Sequence, residues 1–179
     1  MVPRLVCGPS GATTRRGVDV AVPALVARAS RSDRCRVYPR AGMPEVPAGL
    51  ALPADLATFY ELCGGVGLYP DSDHGVSLVG PGYLLPTNVV LLGEQFEDDP
   101  SLSWYTIART IDREYLSVDL SPDRNSRCYD SFHEIHAIVG SSPVIARDFT
   151  ELFERLFDSE RRHRYWLEPG FESHGDAYD

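Results

Sequence analysis

Leu50-Ala-Leu-Pro-Ala-Asp-Leu-Ala-Thr-Phe-Tyr-Glu-Leu-Cys-Gly-Gly-Val-Gly-Leu-Tyr69 is the stretch whose reading decides the fold. Pro53 suits the first helical position, where its missing N–H is not needed. Asp55 falls in the first turn, where the helix dipole favours a negative charge. Leu56, Phe59, Tyr60 and Cys63 keep the i, i+3, i+4, i+7 spacing of one buried helical face. Gly64 is read as the stop, in the left-handed conformation that costs glycine least. Val66, Leu68 and Tyr69 then read as a strand leaving the turn. One short segment thus predicts a helix, a sharp turn and a strand, all apolar on one side.

Downstream, Trp104 to Ile111 reads as a strand, Asp112-Arg113-Glu114 as a turn, and Tyr115 to Leu120 as a second strand. In the latter, Leu116, Val118 and Leu120 alternate with Tyr115, Ser117 and Asp119, which predicts a single core-facing side. Ser121 to Asn125 turns the chain into a third strand at Arg127-Cys128-Tyr129, making an antiparallel meander. Asp148 and Glu151 make a capping box for a helix whose buried stripe is Phe149, Leu152, Phe153, Leu156 and Phe157. That stripe needs a partner surface, and the sheet supplies it. The expectation is a single α+β domain: an antiparallel sheet of about five strands packed with two main helices. Leu56, Phe59, Leu116, Val118, Leu152, Phe153 and Leu156 are its predicted core.

The remaining segments are shorter. Val20 to Ala29 reads as a short helix with Val22, Leu25 and Val26 on one face and Pro23 limiting its start. Val76 to Val79 reads as a strand. Val89 to Leu92 reads as a helical turn capped by Thr87 or Asn88, with a strand as the alternative. Tyr165-Trp166-Leu167 is an apolar knot, placed to dock on the domain or to contact a partner.

At 179 residues, with 43% hydrophobic content, the chain fits one domain. No apolar run approaches the ~20 residues of a membrane span, and the first residues are too short an apolar run for a signal peptide, so cytoplasmic residence is expected. The net charge of −9 is unevenly placed: residues 1–40 hold eight Arg against Asp19 and Asp33, a local +6 that leaves −15 for the rest. We therefore divide the chain into an Arg-rich extension (1–40), a central domain (41–168) and an acidic tail (169–179). Arg31 to Arg40 reads as solvated extension in preference to a nucleic-acid-binding arm. The acidic body disfavours direct nucleic-acid contact and favours a basic protein partner.

Catalytic and metal-binding patterns are sparse. His133-Glu134-Ile135-His136 is one residue short of a zincin motif. Its histidines are read as exposed or internally satisfied. Asp71-Ser72-Asp73-His74 lacks the complementary acids of a calcium loop and reads as a solvated turn. Gly8 to Thr14 lacks the lysine of a phosphate loop, and Gly64-Gly65-Val66-Gly67 follows a helix where a dinucleotide loop precedes one. Cys7, Cys35, Cys63 and Cys128 form no CxxC pair. Neither a metal nor a cofactor is implied.

Leu52-Pro53 followed by an acidic residue, Phe59-Tyr60 and the Gly-rich turn into a strand resemble the opening motif of the SUKH superfamily. That superfamily includes the yeast Smi/Knr cell-wall assembly regulators and many bacterial immunity proteins. The Tyr115–Leu120 strand and the Phe149–Leu156 helix match as well, so the resemblance spans roughly Leu50 to Asp158. Cys63 stands where the family often has Asn. The resemblance implies a non-enzymatic immunity protein that binds and neutralises a cognate toxin, frequently a nuclease. A regulatory scaffold and a small enzyme using His74 or His133 as general base are the alternatives. The candidate partner-binding residues are the densest acidic loop positions: Asp71, Asp73, Glu94, Glu97, Asp98 and Asp99.

Overall fold

The Pro53 segment forms a buried helix that packs at the centre of the structure. The computed structural model describes residues 15–159 and 164–179, with residues 15–20 as backbone alone. Helix α2 (Ala54–Leu62) starts from Pro53, which sits one residue outside it, and buries Leu56, Phe59 and Tyr60. Helix α4 (Phe149–Asp158) lies against it: the Phe59 ring meets Phe149 at 4.9 Å and Phe153 at 5.9 Å, both edge-on, a favoured aromatic geometry. Asp55 joins the two helices. One carboxylate oxygen accepts the Leu56 N–H (2.8 Å), and the other accepts the N–H and hydroxyl of Thr150 (2.9 and 3.1 Å). Asp55 thus satisfies first-turn donors of both helices at once. Its burial pushes its pKa up against those hydrogen bonds.

Gly64 ends α2 for a different reason from the one expected. The left-handed glycine is Gly65 (φ +128), while a Cβ on Gly64 would lie 2.2 Å from the Pro39 carbonyl oxygen. Close backbone approach, not a positive φ, demands glycine there. Asp148 caps α4 by accepting the Glu151 N–H at 2.8 Å, as read. The return bond of the box comes from the Arg147 N–H to Glu151 (2.9 Å).

Seven strands form one antiparallel sheet in sequence order, against the expected five or so. They are β1 (Cys35–Val37), β2 (Val66–Leu68), β3 (Val76–Leu78), β4 (Trp104–Thr110), β5 (Tyr115–Asp119), β6 (Cys128–Ser131) and β7 (Val144–Ala146). The fold class and the predicted core stand: Leu56, Phe59, Leu116, Val118, Leu152, Phe153 and Leu156 are all buried against the helical face of the sheet. Strand β5 departs from the one-sided expectation, because Ser117 and Asp119 are buried as well, beneath a second layer.

Described elements also pack on the sheet from before residue 41 and after residue 168. Helix α1 (Arg15–Arg31) runs through Pro23 and packs on α2 and α4. Its Val22, Leu25, Val26 and Ala29 join the core, and Arg28 pairs with Asp158 of α4 at 2.8 Å. Strand β1 is the sheet's first strand and pairs with β2. At the other edge the acidic tail docks: Val144 N–H donates to Gly175 O (2.9 Å) and His174 N–H to Val144 O (3.0 Å). Ala177 and Tyr178 pack on Trp104, Tyr129 and Val144, covering an edge that would otherwise be open to pairing. Trp166 is buried with the main core, its indole N–H donated to Asp130 at 2.7 Å.

Candidate protein-binding surface

Directly paired residues of an antiparallel sheet point to the same face. The register places Arg36, Gly67, Ser77, Arg109 and Tyr115 in one row across β1 to β5, on the face away from the helices. Arg109 reaches that face because β4 carries a one-residue irregularity between Thr106 and Ala108. Ile107 and Ala108 both turn into the core, and the next residue is thrown outward. Such bulges re-aim a side chain by shifting the phase of the strand.

The same face is covered over β5 to β7 and the Trp104–Thr106 end of β4, and is exposed at Arg36, Ser77 and Arg109. Helix α3 (Thr87–Leu92) marks the border. Neither Thr87 nor Asn88 caps it: Pro86 is the N-cap, and both polar side chains are pegs driven into the second layer. The Thr87 hydroxyl meets Ser117 at 2.8 Å, and Ser117 meets Ser131 at 2.6 Å. Asn88 donates to the Ser101 hydroxyl (2.9 Å), and its carbonyl oxygen accepts from His136 Nε2 (2.7 Å). The proton is therefore on Nε2 of a neutral imidazole. Burial lowers the pKa of His136 to about 4, with Asp99 pulling weakly the other way. With its polar side chains committed inward, α3 turns Val89 and Leu92 out to solvent.

Between α3 and the bare strands lies a cleft of about 480 Å³, walled by Tyr38, Ser77, Tyr83, Leu85, Arg109 and Tyr115. A second hollow of about 650 Å³ continues from it through Ala41 and Leu85 towards Met43 and Val46. Tyr83 is 71% exposed, and Tyr38, Met43 and Leu85 are each above 40%. Tyr38 drapes across Gly67, where an added Cβ would meet its hydroxyl at 3.7 Å. A contiguous exposed apolar area of this kind marks an interaction site more often than scattered single residues do.

The predicted acidic residues do not form one patch. Asp71 and Asp73 are exposed in the β2–β3 turn, beside the end of β4, where Ile111 N–H bonds Gly75 O. Glu94, Glu97 and Asp98 are exposed before the other end of β4, so the length of that strand, ~20 Å, separates the groups. Asp99 is engaged internally. Its carboxylate accepts the Ser101 N–H (2.8 Å) and the Tyr178 hydroxyl (2.9 Å), clamping the docked tail. Burial raises its pKa, but the bonds from Ser101 and Tyr178 outweigh that and leave it lowered.

The catalytic alternatives gain little. His133 faces Glu114 at 3.2 Å, but the imidazole is 56% exposed and borders none of the clefts described. His74 is exposed on the β2–β3 turn. Burial pushes the thiols of Cys63 and Cys128 up, away from the reactive thiolate. Cys35, Cys63 and Cys128 are free, and among the described residues no group of three or more His, Cys, Asp or Glu is arranged to hold a metal. No helix among them is long and apolar enough to cross a membrane. The Gly8–Thr14 segment and Cys7 lie outside the described residues.

Across 160 residues the chain is 38% identical to immunity protein YokJ of Bacillus subtilis (strain 168), an alignment that covers 89% of this chain and 97% of the relative. The chain belongs to the YokJ immunity-protein family. No protein-family model matches it, and no solved structure does. Family membership favours reading the bare sheet face as a surface for a protein partner over any catalytic reading. Its cleft residues escaped sequence reasoning, because Tyr38, Tyr83 and Arg109 stand 45 and 26 positions apart and share no local pattern. The one available signal was the break in alternation at Ile107-Ala108.

Proposed function

We propose that this chain is an immunity protein of SUKH type, a non-enzymatic module that binds a cognate toxin in the cytoplasm and neutralises it by occupying its surface. The observation that carries this reading is the 38% identity to an immunity protein over nearly the whole of both chains. The bare, partly apolar sheet face supports it, since a stoichiometric binder needs a rigid surface and no reaction centre. Asp71 and Asp73 at one end of β4, and Glu94, Glu97 and Asp98 at the other, are proposed to steer a basic partner during encounter. Asp99 is withdrawn from that role because its oxygens are already used.

The test is co-expression. A toxin domain encoded beside this gene is induced in a sensitive host with and without the chain. Restored growth together with a co-purifying complex is the expected result. Undiminished killing, with the chain present and soluble, refutes the reading. Steering is tested by replacing Glu97 and Asp98 with Gln and Asn: the association rate should fall at low salt, and the difference should shrink as salt rises.

A further inference from the structure

We infer that the cleft over β3 and β4 is the docking centre for the toxin, and that it takes an apolar side chain of the toxin flanked by carboxylates. This rests on the toxin-binding reading above and specifies the partner's chemistry at that surface. The first support is charge. The chain is acidic overall, yet the bare face carries Arg36 and Arg109, both exposed and neither joined by an ion pair or hydrogen bond to any described residue. By register they lie three strands apart, ~14 Å at the usual spacing. Between them the row is Gly67, covered by Tyr38, and Ser77. Arg109 in the cleft wall and Arg36 farther along the same row complement a segment with acids on either side of a hydrophobic residue.

The second support is local geometry. Were β4 regular, Arg109 would point into the core, where an unpaired guanidinium is prohibitive. The irregularity at Ile107 buries two successive residues and delivers Arg109 to the cleft wall beside Tyr115. The third is composition. Tyr38, Tyr83 and Tyr115 surround Arg109, and tyrosine and arginine are the residue types that dominate binding energy at protein interfaces. The lysine-free acidic loops lie at the two ends of this face, as a charged rim does around a docking centre.

The experiment measures the equilibrium dissociation constant for the toxin domain encoded beside the gene, with full-length chain, by titration calorimetry. The variants are Tyr83→Ala and Arg109→Glu in the cleft and the rim control Glu97→Gln/Asp98→Asn, each checked for an unchanged melting temperature. Tyr83→Ala carries the test if Arg109→Glu fails to fold, since Tyr83 is largely exposed. Each cleft variant is expected to weaken binding by roughly thirty-fold or more, the scale of an interface hot spot. The rim control should alter affinity by less than about three-fold. Arg109→Glu should regain affinity for a toxin carrying Arg in place of the facing acid. Tight binding by wild type with both cleft variants unimpaired overturns the docking proposal and leaves the immunity reading standing. Absence of binding by wild type refutes both. If Tyr83→Ala instead dissociates a dimer of this chain in sedimentation while toxin affinity is unchanged, the cleft belongs to a second copy and the proposal fails.

Discussion

Acid should weaken this protein through His136 as pH falls below about 6.5. The imidazole is 5% exposed, donates to Asn88 from Nε2, and has its pKa lowered to about 4 by burial. The unfolded chain holds the same group near the ordinary value of about 6.5. Above pH 6.5 both states carry it neutral and it contributes nothing to the pH dependence. As pH falls through 6.5 the unfolded chain takes up a proton that the folded protein refuses, so stability is lost. The loss reaches about 2 kcal/mol by pH 5 and levels off at about 3 kcal/mol below pH 4. Protonation would add its proton at Nδ1, which is buried without a partner, while the Nε2–H bond to Asn88 stays in place. Urea unfolding of wild type and His136→Gln at pH 7 and pH 5 isolates the effect, since every other titrating group is common to both. Wild type should lose about 2 kcal/mol more than the variant between these pH values. Equal losses, or a His136 proton resonance titrating near 6.5, would refute the burial argument.

Two further perturbations probe the packing. Phe153→Ala should cost ~3–5 kcal/mol, because Phe153 is wholly buried between Phe59 and Phe149, and an unchanged melting curve would contradict that placement. Gly64→Ala should cost ~1–3 kcal/mol, or more, because its Cβ meets the rigid Pro39 carbonyl at 2.2 Å. Gly82→Ala, with nothing within 4 Å and no positive φ, should stay within about 0.5 kcal/mol of wild type by differential scanning calorimetry.

The two-helix scaffold, the 104–129 meander and the main core were legible in the chain. They depend on local periodicity, and the 3.6-residue spacing of Leu56, Phe59 and Cys63, or the alternation of Leu116 and Val118, records burial directly. Charge and composition describe only the exposed side of an element. The apolar face of Val22, Leu25 and Val26 was legible, whereas Arg28 and Arg31 on the same helix say nothing of what it packs on. Thr87 and Asn88 misled for a related reason. A polar residue ahead of an apolar run reads as a cap, and only the arrival of Ser117, Ser101 and His136 from elsewhere in the chain makes it a buried peg.

Sequence by itself thus determined which elements form and which of their sides are apolar, and the likeness around Leu52-Pro53 and Phe59-Tyr60 pointed to the immunity class that the relative bears out. The tertiary structure alone decided what stands beside what. It split the acidic loops between the two ends of β4, tied Asp99 to the tail, and set Arg109 and three tyrosines around one cleft. The reason is physical: helical and strand periods are properties of consecutive residues, fixed by backbone geometry. The face on which Arg109 emerges depends on a one-residue shift in a ladder whose partners, Ser77 and Tyr115, are held in place by the whole sheet.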